Sequence, residues 1–142
     1  LSTSKNMADL RFKPIDHPSD VGIIAYGKTL QEIFENAALG MFSLMADLDK
    51  VKPKQTLRLR VEGEDLESLL VNWLNELIFN EDAKKMLFKA FKITKLSSTE
   101  VEAEVAGEKV DPKIHDIYRP IKAATYNQLE IHPNWAKVIF DV

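Results

Sequence analysis

The chain alternates between the periodicities of strand and helix, with no long linker, low-complexity run or obvious repeat. FKPID (12–16) reads as a short strand, and VGIIAYG (21–27) as a buried strand closed by a glycine. Thr29 then opens a helix, with Glu32 at the capping-box spacing. Leu30, Ile33, Phe34, Ala37, Ala38, Met41, Phe42 and Met45 make one apolar stripe along it. Core packing is a better reading of that stripe than a Met/Phe cofactor groove. In TLRLRVEG (56–63), Leu57, Leu59 and Val61 alternate with Arg58, Arg60 and Glu62, the pattern of an antiparallel strand with one wet face.

A second helix runs through GEDLESLLVNWLNELIF (63–79), with Asp65 at the N-cap and Glu64 and Glu67 near the positive end of its dipole. Leu66, Leu69, Leu70, Trp73, Leu74 and Leu77 line its inner face. Residues 88–96 and 101–105 pair across SSTE, VDPKIHDIYRP is irregular, and two last strands (121–131 and 135–142) join across His132-Pro133-Asn134. The order ββαβαββ followed by ββ predicts an α+β fold. Its expected form is a two-layer sandwich: a mostly antiparallel sheet of six or seven strands covered by two helices.

Composition narrows the function. At 142 residues, 45% hydrophobic and 29% charged, the chain has the make-up of one globular domain. The expected organisation is an arm or added remnant over residues 1–6 ahead of a single domain from 7 to 142, with Met7 as the start. The absence of Cys excludes disulfides, zinc-thiolate sites and thiol nucleophiles, and it fits a reducing, cytoplasmic setting. No apolar run approaches the roughly 20 residues of a membrane span. A formal charge of −3 gives no drive toward direct nucleic-acid binding.

No GxSxG, P-loop or Rossmann fingerprint is present, so nothing in the motifs identifies an enzyme. Two acidic features remain. Asp16, His17 and Asp20 crowd a proline-marked turn, where carboxylates either cap local amides or face a site. The last strand ends on Asp141, one residue before the carboxylate of Val142. If that strand lies beside the 21–27 strand, Asp20, Asp141 and Val142 bring three hard oxygen donors together. Such a set selects calcium, magnesium or manganese over zinc or copper, and close anions need a cation or a lysine to offset them. Otherwise Asp141 is a solvated aspartate at an exposed end. Lys122 is the one cation in the PIKAATYN strand; it either snorkels to solvent or pairs with the carboxylates. Tyr126 is expected on the same strand face. His17, His115 and His132 are too widely spaced for a ligand pair and read as surface or turn histidines.

Five blocks in order, DHPSDVGIIAYGKTLQEIFENAALGMF, VEGEDLESLLVNWLNELIF, GEKVDPKIH, IKAATYNQLEI and VIFDV, resemble the archease family from about residue 12 to 142. The resemblance implies a small cytosolic accessory protein of the tRNA-splicing RNA ligase, which joins ends using GTP and manganese. It would promote guanylylation of that ligase's active-site histidine and restore multiple turnover, without being an enzyme itself. It further implies a divalent metal, calcium in the family. The aspartate of the family's His-Thr-Ala-Asp motif falls on Asp20, the penultimate aspartate on Asp141 and the terminal ligand on Val142. The family's strand lysine falls on Lys122, with His17 and Tyr126 as further partner-facing candidates. The chain departs from the family at Pro18-Ser19, at Pro120-Ile121 and at Asn127, where the family often has His. The alternative function is a general chaperone or assembly factor for RNA-processing proteins. A metal-dependent hydrolase is weaker still, since no general base or substrate pocket is visible.

Overall fold

A computed structural model describes residues 10–17 and 19–142. The expected arm over 1–6, the start at Met7 and Pro18 of the acidic turn lie outside the described residues.

Strands β1 (Phe12–Asp16) and β2 (Val21–Tyr26) form an antiparallel hairpin, Asp16 facing Val21. His17 and Asp20 close it by exchanging N–H to carbonyl hydrogen bonds of 2.9 and 3.2 Å. Helix α1 (Leu30–Met45) starts where expected: the Thr29 hydroxyl accepts the Glu32 N–H, and Glu32 reaches back to the Lys28 N–H at 2.6 Å. A short 3-10 turn (Leu48–Lys50) leads to strand β3 (Gln55–Glu62). Helix α2 (Leu66–Lys84) is opened by a full capping box between Asp65 and Ser68. Strands β4 (Met86–Leu96) and β5 (Glu100–Lys109) follow, then β6 (Ala123–Ala124), β7 (Glu130–His132) and β8 (Trp135–Asp141).

The α+β class, with two helices against antiparallel strands, is as the patterning predicts. The strands, however, divide between two sheets, one ordered β1-β2-β8-β6 with β7 also on β8, the other ordered β3-β5-β4. Both sheets pack on the same helices. Gly40 of α1 sits against Ile23 and Phe12, while Phe42 sets its ring edge-on to Phe88 at 5.6 Å. Helix α2 is tied to α1 by the buried Trp73 indole N–H, which donates to the Phe34 carbonyl at 3.0 Å. Phe34, Met41, Phe42 and Met45 are all within the core, so the Met/Phe stripe is packing.

One expected strand is broken. Residues 121–131 do not run straight, because between Ala124↔Phe140 and Glu130↔Lys137 the edge advances six residues while β8 advances three. The surplus is turned outward at Tyr126 to Leu129, where Leu129 N–H meets the Tyr126 carbonyl and Gln128 takes φ 55°. The left-handed position falls on Gln128, which carries no turn signature; Asn127 before it was the one turn-type residue in the stretch. Tyr126 therefore sits in an exposed turn and not on the strand face of Lys122 and Ala124.

Candidate functional site: an acidic end of the β2–β8 ladder

The last strand is an interior strand. β8 lies between β2 and β6, pairing Val21 with Phe140 on one side and Ala123 with Asp141 on the other. Its core-facing residues Ala136, Val138 and Phe140 are buried, and this alternation fixes the register, since a one-residue slip would turn all three outward. The next residues outward on the two strands are Asp20 and Asp141. The condition set by the sequence, that the last strand lie beside the 21–27 strand, is met by the backbone.

Glycine makes the close approach possible. A Cβ on Gly22 would run into the Val138 carbonyl oxygen and come within 2.9 Å of the Ile139 side chain. Asp20 is half-buried at the hairpin turn, Asp141 is exposed and Val142 is 51% exposed. Lys122 joins from the other side, its N–H donating to the Asp141 carbonyl at 2.8 Å. Among the described residues, no side-chain ion pair reaches Asp20, Asp141 or Lys122, although neighbouring Asp16 is taken by Arg119. His17 is exposed in the turn, and Tyr126 lines a shallow dip with Glu62, Glu64, Ser68 and Asn72.

Whether a metal suits this end depends on its donors. Among the described residues no three His, Cys, Asp or Glu side chains gather into a ligand group. The tip offers the oxygens of two aspartates, Asp20 and Asp141, with Val142 next to the second. An all-oxygen set of this kind fits a hard divalent cation, with its remaining positions filled from outside the chain.

Two features here escaped the sequence reading. Arg119 forks onto Asp16 with nitrogen–oxygen distances of 2.9 and 3.4 Å, joining positions 103 residues apart. His115, expected on the surface or in a turn, is 4% exposed. Its Nδ1 accepts the Asp111 N–H at 2.9 Å, which leaves the ring proton on Nε2 to donate to Glu108 at 2.8 Å. That hydrogen bond, then one from the Lys52 N–H, then the charge of Lys54, hold the Glu108 carboxyl down to about 2. Only the irregular block GEKVDPKIH hinted at this, through a carboxylate and a histidine seven residues apart.

A cleft of about 770 Å3 lined by Arg11, Glu35, Asn36, Lys89 and Phe91 lies at the Tyr26–Gly27 end of β2, away from Asp20. The acidic end of this small α+β sandwich thus carries oxygen donors beside the backbone of Lys122.

Residues 12–142 match the archease protein family. The chain is 36% identical over 140 residues to the protein archease of Methanosarcina mazei, covering 93% of this chain and 96% of that one. It is 38% identical over 122 residues to that of Sulfurisphaera tokodaii, covering 85% and 88%. The solution structure of Methanobacterium thermoautotrophicum protein 1598 superposes with a TM-score of 0.78 at 34% identity, over 93% of this chain and 99% of that one. The fold recurs at 19% identity and a TM-score of 0.50 in a Thermotoga maritima crystal structure described as an archease, possible chaperone, over 92% and 96% of the two chains. The chain belongs to the archease family. No helix among the described residues is long and apolar enough to cross a membrane.

Proposed function

We propose that this protein is a cytoplasmic cofactor of the tRNA-splicing RNA ligase, not itself an enzyme. It would activate the GTP- and metal-dependent ligase by promoting guanylylation of the ligase's active-site histidine, and so sustain multiple turnover. The observation that carries the reading is the β2–β8 register, which brings Asp20 to Asp141 at one end of the sheet. Asp20, Asp141 and the carboxylate of Val142 would hold a divalent cation, calcium by family resemblance. When bound, that cation supplies positive charge for phosphate oxygens. Lys122 offsets the carboxylates and offers a further phosphate contact, while exposed His17 and Tyr126 face the partner. Phosphoryl-type transfer depends mostly on positioning and charge stabilisation, so a protein without a catalytic group of its own can accelerate it.

Asp20→Ala and Asp141→Ala should each keep the thermal unfolding transition and lose stimulation of ligase guanylylation, read as transfer of labelled GMP to the ligase. A short extension after Val142, which turns its carboxylate into a peptide amide, should impair stimulation too. Full stimulation by both aspartate variants would overturn the proposal.

A second reading, a chaperone or assembly factor for RNA-processing proteins, is favoured by exposed Ile114, Ile117 and Tyr118. Suppression of aggregation of an unrelated unfolded protein, equal in wild type and Asp20→Ala, would favour it over the first.

A further inference from the structure

Among the described residues, six large apolar side chains are half or more exposed, and three of them, Ile114, Ile117 and Tyr118, sit on one short segment after β5. A loop that freely exposed such residues would be expected to have few anchors; this one has many. His115 is inserted into the molecule on Glu108, Asp116 pairs with Lys50 at 2.7 Å, and the Asp116 carbonyl accepts the Asp47 N–H at 3.0 Å. Ile117 bridges to Ala46, the Tyr118 N–H donates to the Met45 carbonyl at 2.7 Å, and Arg119 forks onto Asp16. The segment is thus held to the body by His115, two ion pairs and its backbone, while Ile114, Ile117 and Tyr118 stand outward at 54%, 50% and 59% exposure. A fold selected for stability alone gains nothing from fixing apolar side chains in water.

The segment also lies next to the acidic tip. Arg119 contacts the β1 end of the hairpin that carries Asp20, and Lys122 bonds the Asp141 carbonyl. Tyr118 is four residues from Lys122, which limits their Cα separation to about 14 Å. A standard protein interface covers about 800 Å2 per partner, a disc roughly 30 Å across. A protein that covers the tip with such an interface therefore has Tyr118, and Ile117 beside it, within its reach. Apolar anchors held in place beforehand are what binding hot spots require, because little side-chain or loop entropy is then lost on association.

We propose that residues 111–119 form a preorganised docking loop, in which Ile117 and Tyr118, with Ile114 behind them, anchor the same protein whose active site the tip enters. This rests on the ligase-cofactor reading, and it assigns affinity to the loop and activation to the tip.

The test uses the full chain and the RNA ligase of the same organism, with calorimetry for binding and GMP transfer for activation. Ile117→Ser/Tyr118→Ser should unfold at a temperature close to wild type. It should bind at least tenfold more weakly and recover full stimulation when its concentration is raised. Asp20→Asn should bind within threefold of wild type and fail to stimulate at any concentration. A double variant that binds as wild type does, while Asp20→Asn is inactive, overturns the docking loop and leaves the cofactor reading standing. Full stimulation by Asp20→Asn overturns the reading itself. If sedimentation instead shows that the double substitution dissolves a dimer of this chain without weakening ligase binding, the loop is a self-association surface and the proposal fails.

Discussion

At the scale of single residues, the least expected arrangement is the buried Glu108–His115 pair. The imidazole is confined to its Nε2–H form because Nδ1 already accepts the Asp111 N–H, and that form is the one Glu108 needs as donor. Glu108 is held at about 2, below the usual carboxylate range. A carboxyl depressed in the folded state contributes stability that is present above its unfolded value and lost as pH falls through the folded one. The window here runs from about pH 4.5 down to about pH 2. Urea midpoints measured across that window should fall more steeply in the wild type than in Glu108→Gln, which has no carboxyl to protonate. Equal slopes would show that the pair does not govern acid stability. Residue types alone indicated oxygen-donor chemistry at Asp20 and Asp141. They did not reveal His115, because a lone histidine in an irregular block has the same sequence appearance whether it is buried or wet.

At the scale of elements, helices and hairpins were legible where local chemistry marks them. Thr29 and Asp65 cap their helices as their spacing indicates, and each apolar stripe faces the core. The break between β6 and β7 was missed: Asn127 alone signals a turn there, and the left-handed position falls on Gln128, a residue type that does not announce one. The contact of β2 with β8 has its own requirement at Gly22, where any side chain meets the Val138 carbonyl. Gly22→Ala forces the two strands apart and should cost about 1–3 kcal/mol, the usual penalty for overpacking. Because the same ladder ends in Asp20 and Asp141, stimulation of the ligase should fall along with the denaturation midpoint. Loss of stability with full stimulation would separate the ladder from the tip.

At the scale of the whole molecule, the proposed cation site, built from two strands and Val142, would exist only in the folded state. A cation bound there stabilises the fold by mass action, about 2.7 kcal/mol at a concentration a hundred times its dissociation constant. For a domain of this size that corresponds to a rise of roughly 5–10 °C in Tm. Calcium should raise the Tm of the wild type and leave that of Asp20→Asn/Asp141→Asn in place, as followed by circular dichroism. Equal rises in both proteins would remove the metal from these residues.

The sequence by itself determined the α+β class, the two capped helices, most strand positions and the residue types of the acidic tip. These follow from local periodicity, capping chemistry and composition, which act over a few residues. Tertiary structure alone decided that the strands form two sheets and that β8 enters between β2 and β6. It also decided that His115 and Arg119 anchor a loop beside the tip. Those outcomes depend on pairings between positions up to 119 residues apart, as Val21 and Phe140 are, whose energy comes from burial and register, quantities that no short stretch of chain carries.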